Sequence, residues 1–108
     1  MSESPAEKVG LKHEEIVEVL RLIIDPEIHY NIYDMGLIYD IRINGFLVDV
    51  DMTLTSPGCP FGPMLIHQVK ESIRDLGADE VNLEIVWDPP WTPERMTEEA
   101  RLELGFDL

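Results

Sequence analysis

Apolar side chains recur along the chain with the helical period in two places. Between His13 and Ile24 they lie three and four residues apart, which predicts an amphipathic helix with one buried face. We expect Asp25-Pro26 to end this helix, because proline disfavours helical geometry in the residue before it. A second helical stripe, closed by Gly77, comprises Leu65, Ile66, Val69, Ile73 and Leu76.

Between these helices the apolar positions alternate, as they do in a half-buried strand. Segments 37–43 and 46–55 flank Asn44-Gly45, a dipeptide that is typical of a two-residue hairpin turn. Such a turn pairs Asp40 with Asp49 and Ile38 with Asp51 on an acidic, solvated face. On the other, apolar face the predicted pairs are Ile43–Phe46, Ile41–Val48, Tyr39–Val50 and Leu37–Met52.

A third strand and a last helix complete the predicted domain. Residues 81–87 alternate again, and a strand that follows a helix is expected to lie parallel to one of the hairpin strands. Thr97 to Leu104 predict a short helix that ends before Gly105. The order α-β-β-α-β-α therefore predicts an α+β two-layer sandwich, with a small mixed three-stranded sheet and helices on one face.

Composition excludes several classes of partner. Eight Lys and Arg against twenty-two Asp and Glu give a formal net charge of −14, whereas nucleic acid and anionic membranes attract basic surfaces. No apolar stretch approaches the roughly 20 residues that span a bilayer, and residues 1–10 do not resemble a signal peptide. We therefore expect a cytoplasmic protein with a disordered tail over residues 1–12 and a single domain over residues 13–108.

Cys59 is the one cysteine of the chain, so it cannot form an intramolecular disulfide. One cysteine and three scattered histidines also match no zinc spacing, and no zinc site is expected. Cys59 lies where a strand leads into a helix, and a helix N-terminus can stabilise a thiolate. Two helix starts fit the sequence: Cys59 as the N-cap with Pro60 first, or Gly62 as the N-cap with Pro63 first. A buried structural cysteine is the alternative.

Other candidate residues surround this junction. Asp25 and Glu27 lie on a proline-stiffened corner where they could orient a metal, a cation or the thiol, although solvated turn acids are equally ordinary. Thr55 lies in the same strand end as Thr53, and both could be structural because threonine favours strands. His67 would lie about 80° around the helix from Cys59 and about 12 Å along it, too far for a Cys–His dyad. A self-contained enzyme is therefore not expected.

A proline-rich segment near the C-terminus has two possible roles. Residues 87–96 read Trp-Asp-Pro-Pro-Trp-Thr-Pro-Glu-Arg-Met, so they are stiff and offer large rigid aromatic area. The segment could pack the C-terminal arm onto the domain or contact a partner. The candidate partner-binding residues are Trp87, Pro89, Pro90, Trp91 and Arg95.

Four motifs, taken together and in this order, resemble the SufT-like and PaaD-like family of small iron–sulfur cluster assembly proteins. They are Asp25-Pro26-Glu27, segment 34–39 (Asp-Met-Gly-Leu-Ile-Tyr), segment 52–60 (Met-Thr-Leu-Thr-Ser-Pro-Gly-Cys-Pro) and segment 87–96. The resemblance spans about residues 13 to 105. PaaD proteins carry a further cysteine-rich extension that this sequence lacks, which favours the single-domain assembly-factor branch.

The resemblance implies a non-enzymatic factor that helps to mature iron–sulfur proteins. It implies that Cys59 reacts with or contacts a cluster, with Asp25, Glu27 and Thr55 lining the same site. Because clusters usually take four ligands, Cys59 would share a labile cluster with a second subunit or a partner. Expected partners are assembly proteins, apo client proteins and a second copy in a homodimer. One alternative is a protein that binds no cluster, either an interaction adaptor or an accessory subunit of a PaaD-like oxygenase. Another alternative is a thiol-dependent enzyme.

Overall fold

The computed structural model describes residues 10–106. Most of the predicted N-terminal tail, residues 1–9, lies outside the described residues. The packed part of the chain starts before residue 13, because the side chain of Leu11 is 7% exposed and belongs to the core. The backbone N–H of Leu11 donates to the carbonyl of Gly45 at 2.9 Å. None of the helices in residues 10–106 has the length and apolarity needed to cross a bilayer.

Three helices and two small sheets make up the described chain, which confirms the predicted α+β class. Strands β3, β4 and β5 form one sheet in that order, with β4 antiparallel to β3 and parallel to β5. Strands β1 and β2 form a separate two-stranded sheet that the sequence pattern did not predict. The bounds are α1 (His13–Leu20), β1 (Ile24–Asp25), β2 (Tyr30–Asn31), β3 (Ile38–Asn44), β4 (Leu47–Met52), α2 (Gly62–Asp75), β5 (Glu80–Ile85) and α3 (Glu98–Leu104), with a 3₁₀ turn at Pro93–Arg95.

The core lies between the two longer helices and one face of the three-stranded sheet. Each helix contributes the apolar side chains of one face, and each strand contributes every second side chain. These two sets pack against each other in the core. Burial of this apolar surface is the main term that stabilises so small a domain. The buried set includes Ile16 and Leu20 of α1, Val48, Val50 and Met52 of β4, Leu65, Val69 and Ile73 of α2, and Val81 of β5.

The predicted hairpin register is wrong by two residues. The loop is Gly45-Phe46 rather than Asn44-Gly45, so Asn44 pairs with Leu47 and Ile43 pairs with Val48. Because the shift is an even number, the same residues still face the core. The carbonyls of the two loop residues accept hydrogen bonds from Leu11 and Asp79, so distant segments hold this turn.

A β-bulge at Tyr39 is a second departure from the predicted pairing. The register shifts between Ile38 and Asp40, so Ile38 lies opposite Met52 and Asp40 lies opposite Asp51. The predicted Leu37–Met52 and Tyr39–Val50 pairs are therefore wrong. Bulges redirect side chains, and the Tyr39 hydroxyl donates to the carbonyl of Pro89 at 2.8 Å.

Helix α1 ends at Leu20, four residues before the predicted end at Ile24. Ile23 is buried and its carbonyl accepts the N–H of Ile32 at 2.9 Å, which draws this segment into an extended path. Leu22 and Ile24, on either side of Ile23, are exposed by 79% and 49%. The apolar period continued past the helix end because Ile23 still packs in the core.

The solvent face of the sheet is acidic, as predicted, but it includes a basic residue at its centre. Arg42 lies opposite Asp49 and bonds Asp51 through both terminal nitrogens, at 3.0 and 3.1 Å. It also contacts Asp40 at 2.8 Å. Hydrogen bonding by Arg42 lowers the pKa of Asp51 below its ordinary value, outweighing the burial that would raise it. One guanidinium therefore relieves repulsion between the carboxylates that the register brings together.

Replacing Arg42 by glutamine is expected to raise the pKa of the Asp51 carboxyl toward its ordinary value. A lowered folded-state pKa contributes stability above about pH 3.9, the unfolded value, and the contribution is lost as pH falls through the folded pKa. In Arg42→Gln this part of the acid destabilisation should shrink, which NMR titration of Asp51 and unfolding measured from about pH 2 to 5 would detect. Arg74→Gln, which removes the exposed pair with Glu71 on α2, is the control. An unchanged Asp51 titration in Arg42→Gln would contradict this assignment.

Candidate functional site

The corner after β1 is built around the buried side chain of Asp25. This residue is 1% exposed, and its Oδ1 accepts the backbone N–H groups of Glu27 at 2.7 Å and Ile28 at 3.3 Å. Its own carbonyl accepts the N–H of His29 at 2.7 Å, and His29 adopts a left-handed φ of 65°. A carboxylate that satisfies two turn N–H groups fixes the local backbone path. Asp25 therefore positions the Glu27 side chain.

Cys59 lies in a turn that precedes α2, so neither predicted helix start is correct. The N-cap of α2 is Phe61 and the first helical residue is Gly62, with Pro63 in the first turn. The Cys59 carbonyl accepts the N–H of Gly62 at 3.3 Å, while the Cys59 N–H donates to Ser56 at 3.2 Å. A Cβ at Gly62 would come within 2.8 Å of a Leu54 methyl, so the first turn of α2 packs closely against Leu54. The expectation that Cys59 itself caps the helix is therefore wrong.

The two predicted chemical groups meet across the fold. The Cys59 sulfur lies 3.9 Å from Oε1 of Glu27, a distance at the long end for donation by a thiol. Cys59 is 8% exposed, whereas Glu27 is exposed, so the pair lies at the edge of the core with access from solvent. Thirty-two residues separate the two in sequence. The arrangement places a soft sulfur ligand beside a hard oxygen ligand, both suited to a metal cation.

The remaining predicted site residues have other positions. Thr55 is half-buried in the segment between β4 and the Cys59 turn, and its place in the site stays a prediction. Thr53 is fully buried, with its backbone N–H bonded to Leu37 at 2.8 Å. Among residues 10–106, no group of three or more His, Cys, Asp or Glu side chains is arranged to hold a metal ion. Within that range, Cys59 and Glu27 would therefore make up only part of a coordination shell.

Segment 87–96 packs against the loop that carries the second motif. The indole nitrogen of Trp91 donates to the carbonyl of Met35 at 2.7 Å, and the Arg95 guanidinium lies over the Tyr39 ring at 4.3 Å. Gly36 makes this approach possible, because a Cβ there would overlap the backbone carbonyl of Arg95. Sequence pattern alone does not connect these motifs, although the glycine inside the second one is a signal of close backbone approach.

These contacts divide the predicted partner-binding residues into two groups. Trp91 and Arg95 are engaged within the chain, and the carbonyl of Pro89 accepts the Tyr39 hydroxyl. Trp87 is 45% exposed and Pro90 is also exposed. Packing of the C-terminal arm is therefore one role of the segment, and partner contact by its exposed residues stays a prediction.

Comparison with known sequences identifies relatives that are named for the maturation of iron–sulfur proteins. A family model described as iron–sulfur cluster assembly protein matches residues 13–85. A relative from Porphyromonas gingivalis, named Fe-S protein maturation auxiliary factor, is 45% identical over 96 residues, covering 86% of this chain and 90% of the relative. The Fe-S protein maturation auxiliary factor SufT of Staphylococcus aureus is 42% identical, covering 78% of this chain and 98% of that protein.

A more distant relative and a solved structure extend the comparison. An iron-sulfur cluster carrier protein from Synechocystis is 26% identical over 74% of this chain, which matches only 23% of that larger protein. The structure of a conserved hypothetical protein from Thermotoga maritima superposes with a TM-score of 0.78 at 37% identity. That alignment covers 90% of this chain and 97% of the Thermotoga chain, so the similarity extends over the whole fold.

Proposed function

The chain belongs to the iron–sulfur cluster assembly protein family, and from this premise we propose that it is an auxiliary factor in the maturation of iron–sulfur proteins. The family expected from the four motifs is thus confirmed. In the proposed role the protein binds a labile cluster as cargo and passes it to apo client proteins. The relatives are named as maturation factors, which supports a non-enzymatic role for this chain.

The observation that carries this proposal is the contact between Cys59 and Glu27. The sequence contains one cysteine, and its sulfur lies at the edge of the core, 8% of the residue being exposed, beside the carboxylate of the exposed Glu27. Iron–sulfur clusters are held mainly by cysteine thiolates, and carboxylate oxygens also bind iron. Asp25 supports the site indirectly, because it holds the turn on which Glu27 projects.

Incomplete ligation supports cargo transfer over permanent storage. A cluster usually takes four protein ligands, whereas the described residues bring one thiol and one carboxylate together. The remaining ligands would come from a donor, a client or a second copy of this chain. A cluster held in this way exchanges readily, since the receiving protein can replace each shared ligand in turn.

Anaerobic reconstitution with ferrous iron and sulfide tests whether Cys59 binds the cluster. We expect the wild-type protein to develop the visible absorbance of an iron–sulfur cluster and Cys59→Ala to lose nearly all of it. Glu27→Gln, which keeps the shape of the side chain but removes its charge, should retain the cluster and release it faster to a chelator. His13→Ala, which removes an exposed imidazole at the start of α1, controls for adventitious iron.

Two outcomes would contradict different parts of the proposal. Equal cluster absorbance in wild type and Cys59→Ala would exclude Cys59 as a ligand. Absence of a cluster in every variant, together with normal binding to assembly proteins, would favour the adaptor that recruits partners without contacting the cluster. Unfolding curves of each variant separate loss of ligation from loss of the fold.

A further inference from the structure

A groove of about 590 Å³ runs between the end of α1 and the second half of α2. One wall comes from α1 and the extended segment that follows it, and the other comes from a single face of α2. The groove is open to solvent and lies away from the Cys59 turn, which precedes the first residue of α2. Its lining residues are Val19, Leu22, Ile23, Ile24, His67, Gln68, Glu71, Ser72 and Asp75.

The wall formed by α1 and the following segment is apolar and partly exposed. Leu22 is 79% exposed and Ile24 is 49% exposed, although Ile23 between them is buried. Because α1 ends at Leu20, Leu22 lies in the turn that follows the helix. Ile24 begins β1, where neighbouring side chains point to opposite sides, so Ile24 is exposed while Asp25 is buried. Single exposed apolar residues are ordinary, but two that line one concave surface indicate a contact surface.

The α2 wall is polar and carries negative charge. Glu71 and Asp75 lie one helical turn apart on this wall, with Gln68 and Ser72 beside them. Glu71 already pairs with Arg74 at 2.9 Å, so Asp75 is the main source of negative charge for a partner. The wall from His67 to Asp75 is about 12 Å long, which matches about two turns of a helix laid alongside. The two walls therefore differ in character, one apolar and one acidic.

We propose that this groove binds an amphipathic helical segment of a partner protein, with apolar side chains along one stripe and Lys or Arg along the next. Helix-in-groove recognition requires an apolar surface for the anchors, which Leu22 and Ile24 provide. The acidic wall supplies charge complementarity and selects basic neighbours of those anchors. A second copy of this chain fits poorly, because two molecules of net charge −14 would meet at an acidic wall.

The groove is connected to the Cys59 site through β1. Ile24 lines the groove, Asp25 follows it directly, and Asp25 holds the turn that carries Glu27. A helix in the groove would thus lie against the segment that leads to the metal-binding pair. The binding proposal does not depend on cluster ligation, and its test can be repeated in Cys59→Ala to keep the two questions separate.

Fluorescence anisotropy with a synthetic peptide tests the groove directly. The probe is a labelled helical peptide of about 14 residues, long enough for the two turns that the wall accommodates, with leucine on one face and lysine on the other. We expect saturable binding by the wild type, and no comparable binding of peptides in which glutamate replaces lysine or the order is scrambled. Leu22→Ser should weaken binding at least about tenfold, and Asp75→Lys about fivefold at low salt.

Matched surface variants separate the groove from general attraction to an acidic protein. Leu102→Ser changes an apolar residue on α3 that is 59% exposed, and Glu84→Lys reverses a charge on the outer sheet face. Both should bind the peptide within about twofold of wild type. Equal loss in Glu84→Lys and Asp75→Lys, or no saturable binding at all, would overturn the proposal. A homodimer that dissociates in Leu22→Ser would also overturn it, because a second copy would then cover the groove.

Discussion

Replacing Gly36 by alanine is expected to lower the free energy of unfolding by about 3 kcal/mol, a large part of the stability of a small domain. Gly36 has a φ of 81°, and a Cβ added there would overlap the backbone carbonyl of Arg95. Backbone atoms cannot rotate away as a side chain can. The loop that carries Trp91 and Arg95 would have to move away from Gly36. Chemical denaturation would detect this as a lower denaturant concentration at the unfolding midpoint.

Gly105→Ala is a control with nearly the same backbone geometry. Gly105 has a φ of 84°, but a Cβ there would meet no neighbouring atom within 4 Å. Its substitution should therefore cost only the left-handed conformation, about 1 to 2 kcal/mol. The difference between the two variants measures the contact with Arg95. Equal losses would mean that the C-terminal arm does not pack tightly on the second motif.

Replacing Cys59 by alanine is expected to abolish the function in cells while leaving the fold intact. In a strain without the native copy, iron–sulfur enzymes should lose activity, and Cys59→Ala should restore none of it. Loss of one buried thiol leaves a small cavity at the edge of the core, so the variant should remain folded at growth temperature. Activities of several iron–sulfur enzymes, measured beside immunoblots of the variant protein, provide the test.

His13→Ala and Glu27→Gln complete the cellular experiment. The histidine variant should restore enzyme activity fully, since His13 is exposed at the start of α1 and takes no part in the Cys59–Glu27 contact. The glutamine variant should restore it partly, because the thiol remains while its charged neighbour is lost. Full rescue by Cys59→Ala would leave the family role intact and exclude the cysteine mechanism. Normal enzyme activity in the deletion strain itself would contradict the maturation role.

The Cys59 site and the groove suggest how one small chain could combine two tasks. Glu27, which contacts Cys59 across the fold, lies at one end of the segment that starts at Leu22, and the groove lies along the other end. Cargo ligation would then involve Glu27 and Cys59, and partner recognition would involve Leu22. Leu22 and Glu27 are five positions apart in the sequence. Variants at Leu22 and Cys59 can therefore be combined, and their effects on peptide binding and cluster ligation should be independent.

Local pattern was sufficient for the three helices, the three-stranded sheet and their order, but not for the small sheet of β1 and β2. The helical stripe of α2, the alternation of β4 and β5, and the short α3 after Thr97 all lie close to their predicted places. Each of these signals reports which side of a segment is buried, and burial is the dominant local constraint. The parallel pairing of β4 with β5 also agreed with prediction.

Positions that depend on distant contacts could not be predicted in this way. The hairpin loop moved to Gly45-Phe46, where Leu11 and Asp79 donate to its carbonyls, and α1 ended early where Ile23 bonded Ile32. Local sequence contains no information on such partners, because each bond joins segments that only the folded chain brings together. A register shift of two residues leaves the same side chains facing the core. Periodicity therefore cannot distinguish the predicted hairpin register from the observed one.

The candidate site shows the same division. The sequence alone identified Cys59, Glu27 and the motifs around them, because residue type and local order are properties of the chain. Only the tertiary structure decided that Glu27 contacts the sulfur, that Asp25 holds the turn beneath it, and that Trp91 is anchored on Met35. The physical reason is that distances between remote residues follow from how the helices and sheet pack together, and that packing is a property of the whole fold.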